Sequence, residues 1–144
     1  MRVVMEDVEH SSQKYDTLGD YWTEPDGTWH IVTSDLGDWR LNFSVLLHEF
    51  IELALIKHRG ITEQEVLDFD LSVPSNSPYQ DDPGFDPKAP YHKEHVFADA
   101  IERLIAPHLG VLISEQWDAA KKLPKWKTPH AKNHLQLVQK EEKK

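Results

Sequence analysis

The most apolar stretch of the chain lies between Asp38 and Gly60 and predicts one long helix. Asp38 suits the amino-terminal cap, and Gly60 suits the left-handed conformation in which many helices end. Between them, apolar residues occur on every side of the helical wheel, at Leu41, Phe43, Val45, Leu47, Phe50, Ala54, Leu55 and Ile56. A helix that is apolar all round is usually buried. We therefore predict a central helix from Trp39 to Arg59.

Shorter patterns predict a small sheet before this helix. Residues 2–9 are rich in β-branched side chains and predict a first strand. Two further strand-like runs, at 21–24 and 28–33, flank Pro25-Asp26-Gly27, a turn sequence typical of a hairpin.

After the central helix, the pattern predicts a loop between shorter helices. Thr62 and Glu65 form a capping-box sequence, which predicts a helix from about Glu63 to Phe69. Residues 72–90 contain five of the nine prolines and predict a long irregular loop. Further helices are predicted at 91–106 and 111–123. The predicted fold class is α+β, with a small N-terminal antiparallel sheet (hairpin) packed on three to four helices.

Composition limits the possible chemistry. The 144 residues include no cysteine, so thiol nucleophiles and cysteine-ligated metals are excluded. The length and the 39% hydrophobic content predict a single α+β domain over residues 1–120. No apolar run approaches the roughly 20 residues that span a membrane, and the amino terminus lacks the pattern of a secretion signal. We therefore expect a cytoplasmic protein without a membrane partner.

Charge separates the body of the chain from its end. Residues 1–120 carry 23 acidic and 8 basic side chains, whereas residues 121–144 carry eight lysines against two glutamates. An acidic body does not favour duplex nucleic acid as a partner, because that binding relies on Lys and Arg contacts to phosphates. For residues 121–144 we predict a basic, partly disordered tail that can contact an acidic partner.

The central helix contains the sequence His48-Glu49-Phe50-Ile51-Glu52, an HE-x-x-E pattern. Residues four apart lie on the same side of a helix, so His48 and Glu52 form a pair one turn apart. A buried carboxylate is costly unless it is paired or metal-bound. The pair is therefore either a hydrogen-bonded His/Glu cluster or part of a metal site.

The predicted helix at 91–106 offers further ligands. His92, His95, Asp99 and Glu102 share one side of it, and the apolar residues share the other. This side is either an ordinary solvated face or the partner of the His48/Glu52 pair. In the second case His48, Glu52 and His95 supply the ligand types of a hydrolytic zinc site, with Glu102 as the next candidate and His92 and Asp99 less favoured.

Glu49 has a different predicted role. A residue next to a ligand is rotated by about 100° around the helix. Glu49 therefore points beside the metal rather than at it, and it is the candidate general base for a water at the metal.

These motifs over residues 20–105 resemble small zincin-type metalloproteases. In that family an HE-x-x-H helix follows an edge strand that holds the peptide, whereas this chain has Glu52 at the position of the second histidine. The resemblance implies zinc, a peptide-like or other small substrate, and metal-dependent hydrolysis. The longer arrangement, His48-Glu49…Phe69-Asp70…Ala89-Pro90-Tyr91…His95…Glu102, is also similar to small uncharacterised bacterial and phage proteins, which implies no activity.

Two alternatives stay open from the sequence. Glu49, Glu52, Glu65 and Asp68 are similar to the magnesium-binding carboxylates of MazG-type nucleotide pyrophosphohydrolases. The other alternative is a non-catalytic binding or regulatory module, with a structural metal or a hydrogen-bonded cluster in place of a catalytic site.

Overall fold

Three short strands near the amino terminus form one mixed sheet. In the computed structural model, which describes residues 1–125, these are β1 (Val3–Val8), β2 (Gly19–Thr23) and β3 (Trp29–Ser34), with β3 in the centre. β2 and β3 are the predicted hairpin, and Gly27 in its turn has a φ of 85°. The tail beyond residue 125, with the charge and disorder predicted for it, lies outside the described residues.

The direction of β1 differs from the expected antiparallel sheet. β1 pairs with β3 in parallel, with Val3 opposite Trp29 and Val8 opposite Ser34. β2 begins at the end of the sheet where β1 finishes, so it runs in the opposite direction to β1. The hairpin makes β3 antiparallel to β2, and β3 therefore runs in the same direction as β1. The hairpin part of the expectation is confirmed, as is the α+β class.

Four helices follow the sheet. They are α1 (Trp39–Arg59), α2 (Glu63–Ser72), α3 (His92–Ile105) and α4 (Ile113–Lys121), with short 3-10 turns at His10–Ser12, Pro83–Phe85 and Ala106–Leu109. The predicted caps of α1 are confirmed: the Asp38 side chain accepts a hydrogen bond from the Arg40 backbone, and Gly60 has a φ of 74°.

α2 extends beyond the predicted end at Phe69. Its additional residues include Asp70, whose carboxylate accepts hydrogen bonds from the hydroxyls of Tyr15 and Tyr91. Both tyrosines belong to other parts of the chain. Tertiary contacts therefore hold a turn that the local sequence does not predict.

The main core lies between the inner face of the sheet and α1, and α2 and the start of α3 close it. Its buried residues are Tyr21, Ile31, Leu53, Ile56, Val66, Ala89 and Tyr91. A smaller cluster at the other end of α1 joins Leu41 to Ala106 and Val111. These two clusters hold the middle of α1 in the interior, where His48 and Glu52 lie.

α1 and α3 pack with their polar sides together. His48 and Glu52 are only 6% and 3% exposed, as predicted from the pattern of α1. On α3, His95 and Glu102 are buried, whereas Phe97 is 53% and Leu104 67% exposed. The helix is therefore oriented with its polar side inward, because that side pairs with the polar groups of α1.

None of the helices within residues 1–125 has the length and apolar content needed to cross a membrane.

Candidate metal centre

Three buried side chains converge where α1 meets α3. Glu52 Oε2 lies 2.8 Å from His95 Nδ1 and 3.3 Å from His48 Nε2. The two histidine nitrogens are 3.1 Å apart. Among residues 1–125, this is the group of His, Asp and Glu side chains whose ligand atoms lie close enough together to hold one metal ion.

The spacing suits a small divalent ion. Zinc binds nitrogen and carboxylate oxygen at about 2.0–2.2 Å, and tetrahedral angles then separate neighbouring ligand atoms by about 3.3 Å. The three distances in the cluster, 2.8 to 3.3 Å, need only a small expansion to reach that value. The donor set of two imidazoles and one carboxylate is also one that zinc uses in hydrolytic sites.

Each of the three side chains has a polar partner on its outer side. His48 Nδ1 is 2.9 Å from Glu102 Oε2, and the Gln116 amide donates to the other oxygen of Glu102. Glu52 Oε1 accepts a hydrogen bond of 2.7 Å from the Tyr21 hydroxyl. His95 Nε2 is 2.9 Å from Asp82 Oδ1, although the pair lacks the alignment of a hydrogen bond.

These outer partners favour one arrangement of protons. A carboxylate beside the outer nitrogen of a histidine stabilises the N–H there, which leaves the inner nitrogen with a free lone pair. Glu102 has this position for His48, and Asp82 has it for His95. The inner atoms of both histidines and of Glu52 then all present lone pairs to one point, as metal ligands do.

Without a metal, the same charges favour a protonated cluster. Burial lowers the pKa of His95, but the neighbouring Asp82 and Glu52 outweigh it and raise that pKa to about 10. Burial likewise opposes ionisation of Glu52, but the hydrogen bonds from His48 and His95 lower its pKa to about 2. These shifts favour an imidazolium–carboxylate network in the metal-free protein, and a metal must displace its protons to bind.

Glu49 lies beside this cluster and has no partner of its own. Among residues 1–125 its carboxylate makes no hydrogen bond or ion pair, and the three candidate arginines pair elsewhere: Arg40 with Asp38, Arg59 with Glu94 and Arg103 with Asp99. Burial, and then the charge of Glu52, raise the pKa of Glu49 well above its usual range. A carboxylate in this state readily accepts a proton.

Gly19 makes room for this carboxylate. The Glu49 side chain packs against the Gly19 backbone so closely that a Cβ there would meet Glu49 Cγ at 2.6 Å and Cδ at 2.7 Å. Gly19 is the first residue of β2, which is an edge strand of the sheet. The sheet edge therefore determines where Glu49 points.

A cavity of about 340 Å³ leads to the cluster. Its wall includes Glu49 and the inner residues His48, Glu52 and His95, with Asp82 and Glu102 beside them. The volume is within the range of about 300–1,000 Å³ that is typical of small-molecule sites. The three cluster side chains therefore form part of the wall of this cavity.

The other candidate ligands have different polar partners. His92 Nδ1 is 2.9 Å from the Gly84 carbonyl oxygen, and Asp99 accepts a hydrogen bond from Arg103. Glu102 belongs to the cluster, but it contacts the outer nitrogen of His48. Direct metal ligation by Glu102 stays a prediction. In the structure its carboxylate lies beside His48 Nδ1, on the side of the ring away from Glu52 and His95.

The carboxylates of the MazG-like hypothesis do not come together. Glu65 closes the capping box of α2 with Thr62, and Asp68 accepts a hydrogen bond from Gln64 on the exposed side of the same helix. Neither lines the cavity that contains Glu49 and Glu52.

Sequence reasoning missed five contributors to this site: Gly19, Tyr21, Asp82, Gly84 and Gln116. Tyr21 was assigned only to a strand, and Gln116 only to a helix, because neither pattern shows which residue it will face. The Asp82-Pro83-Gly84 sequence did contain a signal. An acidic residue before a Pro-Gly turn within a long loop is a plausible place for a functional side chain.

Asp70 is another carboxylate on the cavity wall, half-buried beside Tyr15 and Tyr91, and it predicts a pH dependence of stability. Burial raises its pKa to about 7, although the hydroxyls of Tyr15 and Tyr91 oppose that rise. The unfolded chain has a pKa near 3.8 for this group. The folded state therefore gains from neutral Asp70 below about pH 4 and loses that gain, at most about 4 kcal/mol, as the pH rises to 7.

We expect the free energy of unfolding of the Asp70→Asn variant to fall much less between pH 4 and 7 than that of the wild type. Urea denaturation of metal-free protein at several pH values between 4 and 7.5 measures this free energy. Asp68→Asn, on the exposed side of α2, is the matched control and should keep the wild-type slope. An unchanged slope in Asp70→Asn would show that Asp70 is ionised throughout this range.

No protein-family model, curated protein or solved structure matches this chain. The resemblance to zincin-type metalloproteases therefore stays a prediction from the sequence motif.

Proposed function

We propose that the protein is a metal-dependent hydrolase with zinc at His48, Glu52 and His95 and with Glu49 as the general base. One observation carries the proposal: the three inner atoms converge while Glu102 and Asp82 flank the outer nitrogens of the two histidines. A simple core hydrogen-bond network does not require this arrangement. A metal site does, because both histidines must present free lone pairs.

Each residue of the site has a separate role in the proposed hydrolysis. Zinc, when bound, supplies a Lewis acid that polarises a carbonyl group and makes water more acidic. Glu49 accepts the proton of the attacking water and returns it to the leaving nitrogen. Glu102 and Asp82 orient the two imidazoles, and Tyr21 holds the outer oxygen of Glu52.

A peptide-like substrate suits the surroundings of Glu49. β2 is an edge strand, and the carboxylate of Glu49 rests on its first residue, Gly19. An extended chain that pairs with a sheet edge forms backbone hydrogen bonds along it. A peptide on β2 would have to replace the side chains of Asp20 and Glu63, which accept hydrogen bonds from the Tyr21 and Thr23 backbone N–H groups, and it would then bring a carbonyl group near Glu49.

The strongest alternative is a non-catalytic binding or regulatory module. It is favoured by the imidazolium–carboxylate network, which satisfies the cluster without any metal, and by the exposed Phe97 and Leu104 on α3. A structural metal is the intermediate case. The cytoplasmic location and an acidic partner for the tail stay predictions.

The test of the function combines metal analysis with a substrate screen. Protein loaded with one equivalent of zinc is incubated with a fluorogenic peptide library, and cleavage is compared with that of chelator-treated protein. Zinc-dependent cleavage supports the hydrolase. Zinc binding without cleavage supports a structural metal, and absence of zinc binding supports the binding module.

Gly19→Ala offers a test of how Glu49 is positioned. The added Cβ overlaps the Glu49 side chain, so we expect the carboxylate to move and activity to fall by about tenfold or more, with zinc content unchanged. In a Glu49→Gln background the same change should have almost no further effect, because the two residues act through one group. Additive losses would show that Gly19 affects the site by another route.

A further inference from the structure

The long loop between α2 and α3 reaches the cluster at one short turn. We define the His95 turn as residues 82–85, which comprise Asp82 and the 3-10 turn Pro83–Phe85. The Gly84 backbone packs against the imidazole ring, where a Cβ would approach His95 Cδ2 to 2.6 Å. The Phe85 ring meets the same imidazole edge-on, with centroids 4.8 Å apart.

α3 itself anchors this turn. His92 Nδ1 lies 2.9 Å from the Gly84 carbonyl oxygen, one helical turn before His95. The turn is therefore seated on two histidines of the same helix. This places Asp82 Oδ1 2.9 Å from His95 Nε2.

The three ligands are supported unequally. His48 and Glu52 lie four residues apart on one helix, and their outer partners, Glu102 and Tyr21, are both buried. His95 instead depends on the loop, and the Asp82 side chain is 26% exposed against 7% for Glu102. Two ligands are thus preformed, and the position of the third depends on the His95 turn.

We propose that the His95 turn is the positioning element for the third metal ligand, with Asp82 as the positioning residue. This inference rests on the proposed metal site. The Asp82 carboxylate, 2.9 Å from His95 Nε2, attracts the proton to that nitrogen by its charge, although it is not aligned as a hydrogen-bond acceptor, and so favours a lone pair on Nδ1 on the inner side. Gly84 lets the turn approach closely enough for Asp82 to do so.

The same turn links the metal ligand to the cavity. Asp82 and Pro83 belong to the cavity wall, together with Gln80 and Asp81. A molecule that occupies the cavity contacts the turn that orients His95. Metal geometry and cavity occupation are therefore coupled through these few residues.

The experiment compares zinc affinity in two variants. Asp82→Ala removes the outer partner of His95, and Asp68→Ala is the matched control because Asp68 is exposed on α2 and does not line the cavity. Competition with a chromophoric chelator measures zinc binding by the full chain. We expect Asp82→Ala to bind zinc about 10- to 100-fold more weakly, and Asp68→Ala to match the wild type.

Cobalt provides a second readout that separates geometry from stability. The visible spectrum of bound Co²⁺ reports ligand geometry, and we expect it to change in Asp82→Ala and in Gly84→Ala, whose new Cβ displaces the ring. Asp82→Glu should recover part of the affinity, because it restores a carboxylate. A general loss of stability would not be rescued in this way.

The outcomes distinguish the two proposals. If the wild type binds zinc and Asp82→Ala binds it equally well with the same cobalt spectrum, the role of the His95 turn is wrong and the metal site stands. If the wild type and Asp68→Ala bind no zinc, the metal site is wrong and the inference is overturned with it.

Discussion

Replacement of Glu49 by glutamine is expected to abolish hydrolysis while the protein keeps its metal. The carboxylate lies next to the three-residue cluster, has no hydrogen-bond or ion-pair partner within residues 1–125, and has a raised pKa because it is buried near Glu52. Glutamine has the same shape but cannot accept the proton of water. Loss of a general base typically costs about 10²- to 10⁴-fold in rate.

The measurement pairs kcat on a cleaved peptide with zinc content by mass spectrometry. Glu6→Gln, an exposed change on β1, is the matched control and should leave both values unchanged. If Glu49→Gln loses its zinc, then Glu49 is a ligand rather than a base. If it keeps full activity, the proton acceptor is another residue of the cavity wall.

The second large effect concerns the metal itself. Purified protein is expected to contain about one zinc per chain, and His48→Ala is expected to contain none, because His48 supplies one of the three ligand atoms that converge among residues 1–125. Zinc binding to the folded state should also raise the melting temperature of the wild type. At a free zinc concentration 100 times the Kd, the stabilisation is about 2.7 kcal/mol.

His58→Ala is the control for this variant, since His58 is exposed near the end of the same helix and should leave zinc content unchanged. His48→Ala also removes the partner of Glu52 and Glu102, so metal-free stability is measured separately from stoichiometry. A wild-type protein that stays metal-free, with a melting temperature unaffected by zinc, would favour the binding module.

The orientation of α3 gives a physical reason to expect the loss of activity in Glu49→Gln and the loss of zinc in His48→Ala. The helix buries His95 and Glu102 and exposes Val96, Phe97 and Leu104, which is the reverse of an ordinary amphipathic helix. Burial of charged groups costs free energy unless they are paired. Buried charged groups of α3 meet those of α1 at the cluster, and sites of this kind are commonly functional.

Some features were predictable because their causes are local. The bounds of α1 follow from Asp38 and Gly60, which satisfy the free backbone groups at the two ends of a helix. The pairing of His48 with Glu52 follows from helical periodicity alone. The capping box at Thr62 and the turn at Gly27 are equally local, and all of these predictions are confirmed.

Other features depend on residues far apart in the chain. The sequence could nominate His95 and Glu102 as members of the site, but it could not say that one would face the inner point and the other the outer nitrogen of His48. That difference arises from the way α3 lies across α1. The extra turn of α2 and the parallel direction of β1 have the same kind of origin.

The approximate positions of the helices and strands, the capped central helix and the residue types available for a metal follow from the sequence alone, since each depends on spacing within a few turns. The contacts of Asp82 with His95, of Tyr21 with Glu52 and of Gly19 with Glu49 are visible only in the tertiary structure. These contacts join residues 13 to 31 positions apart in the chain. Local periodicity contains no information about such pairs, because packing between separate elements creates them.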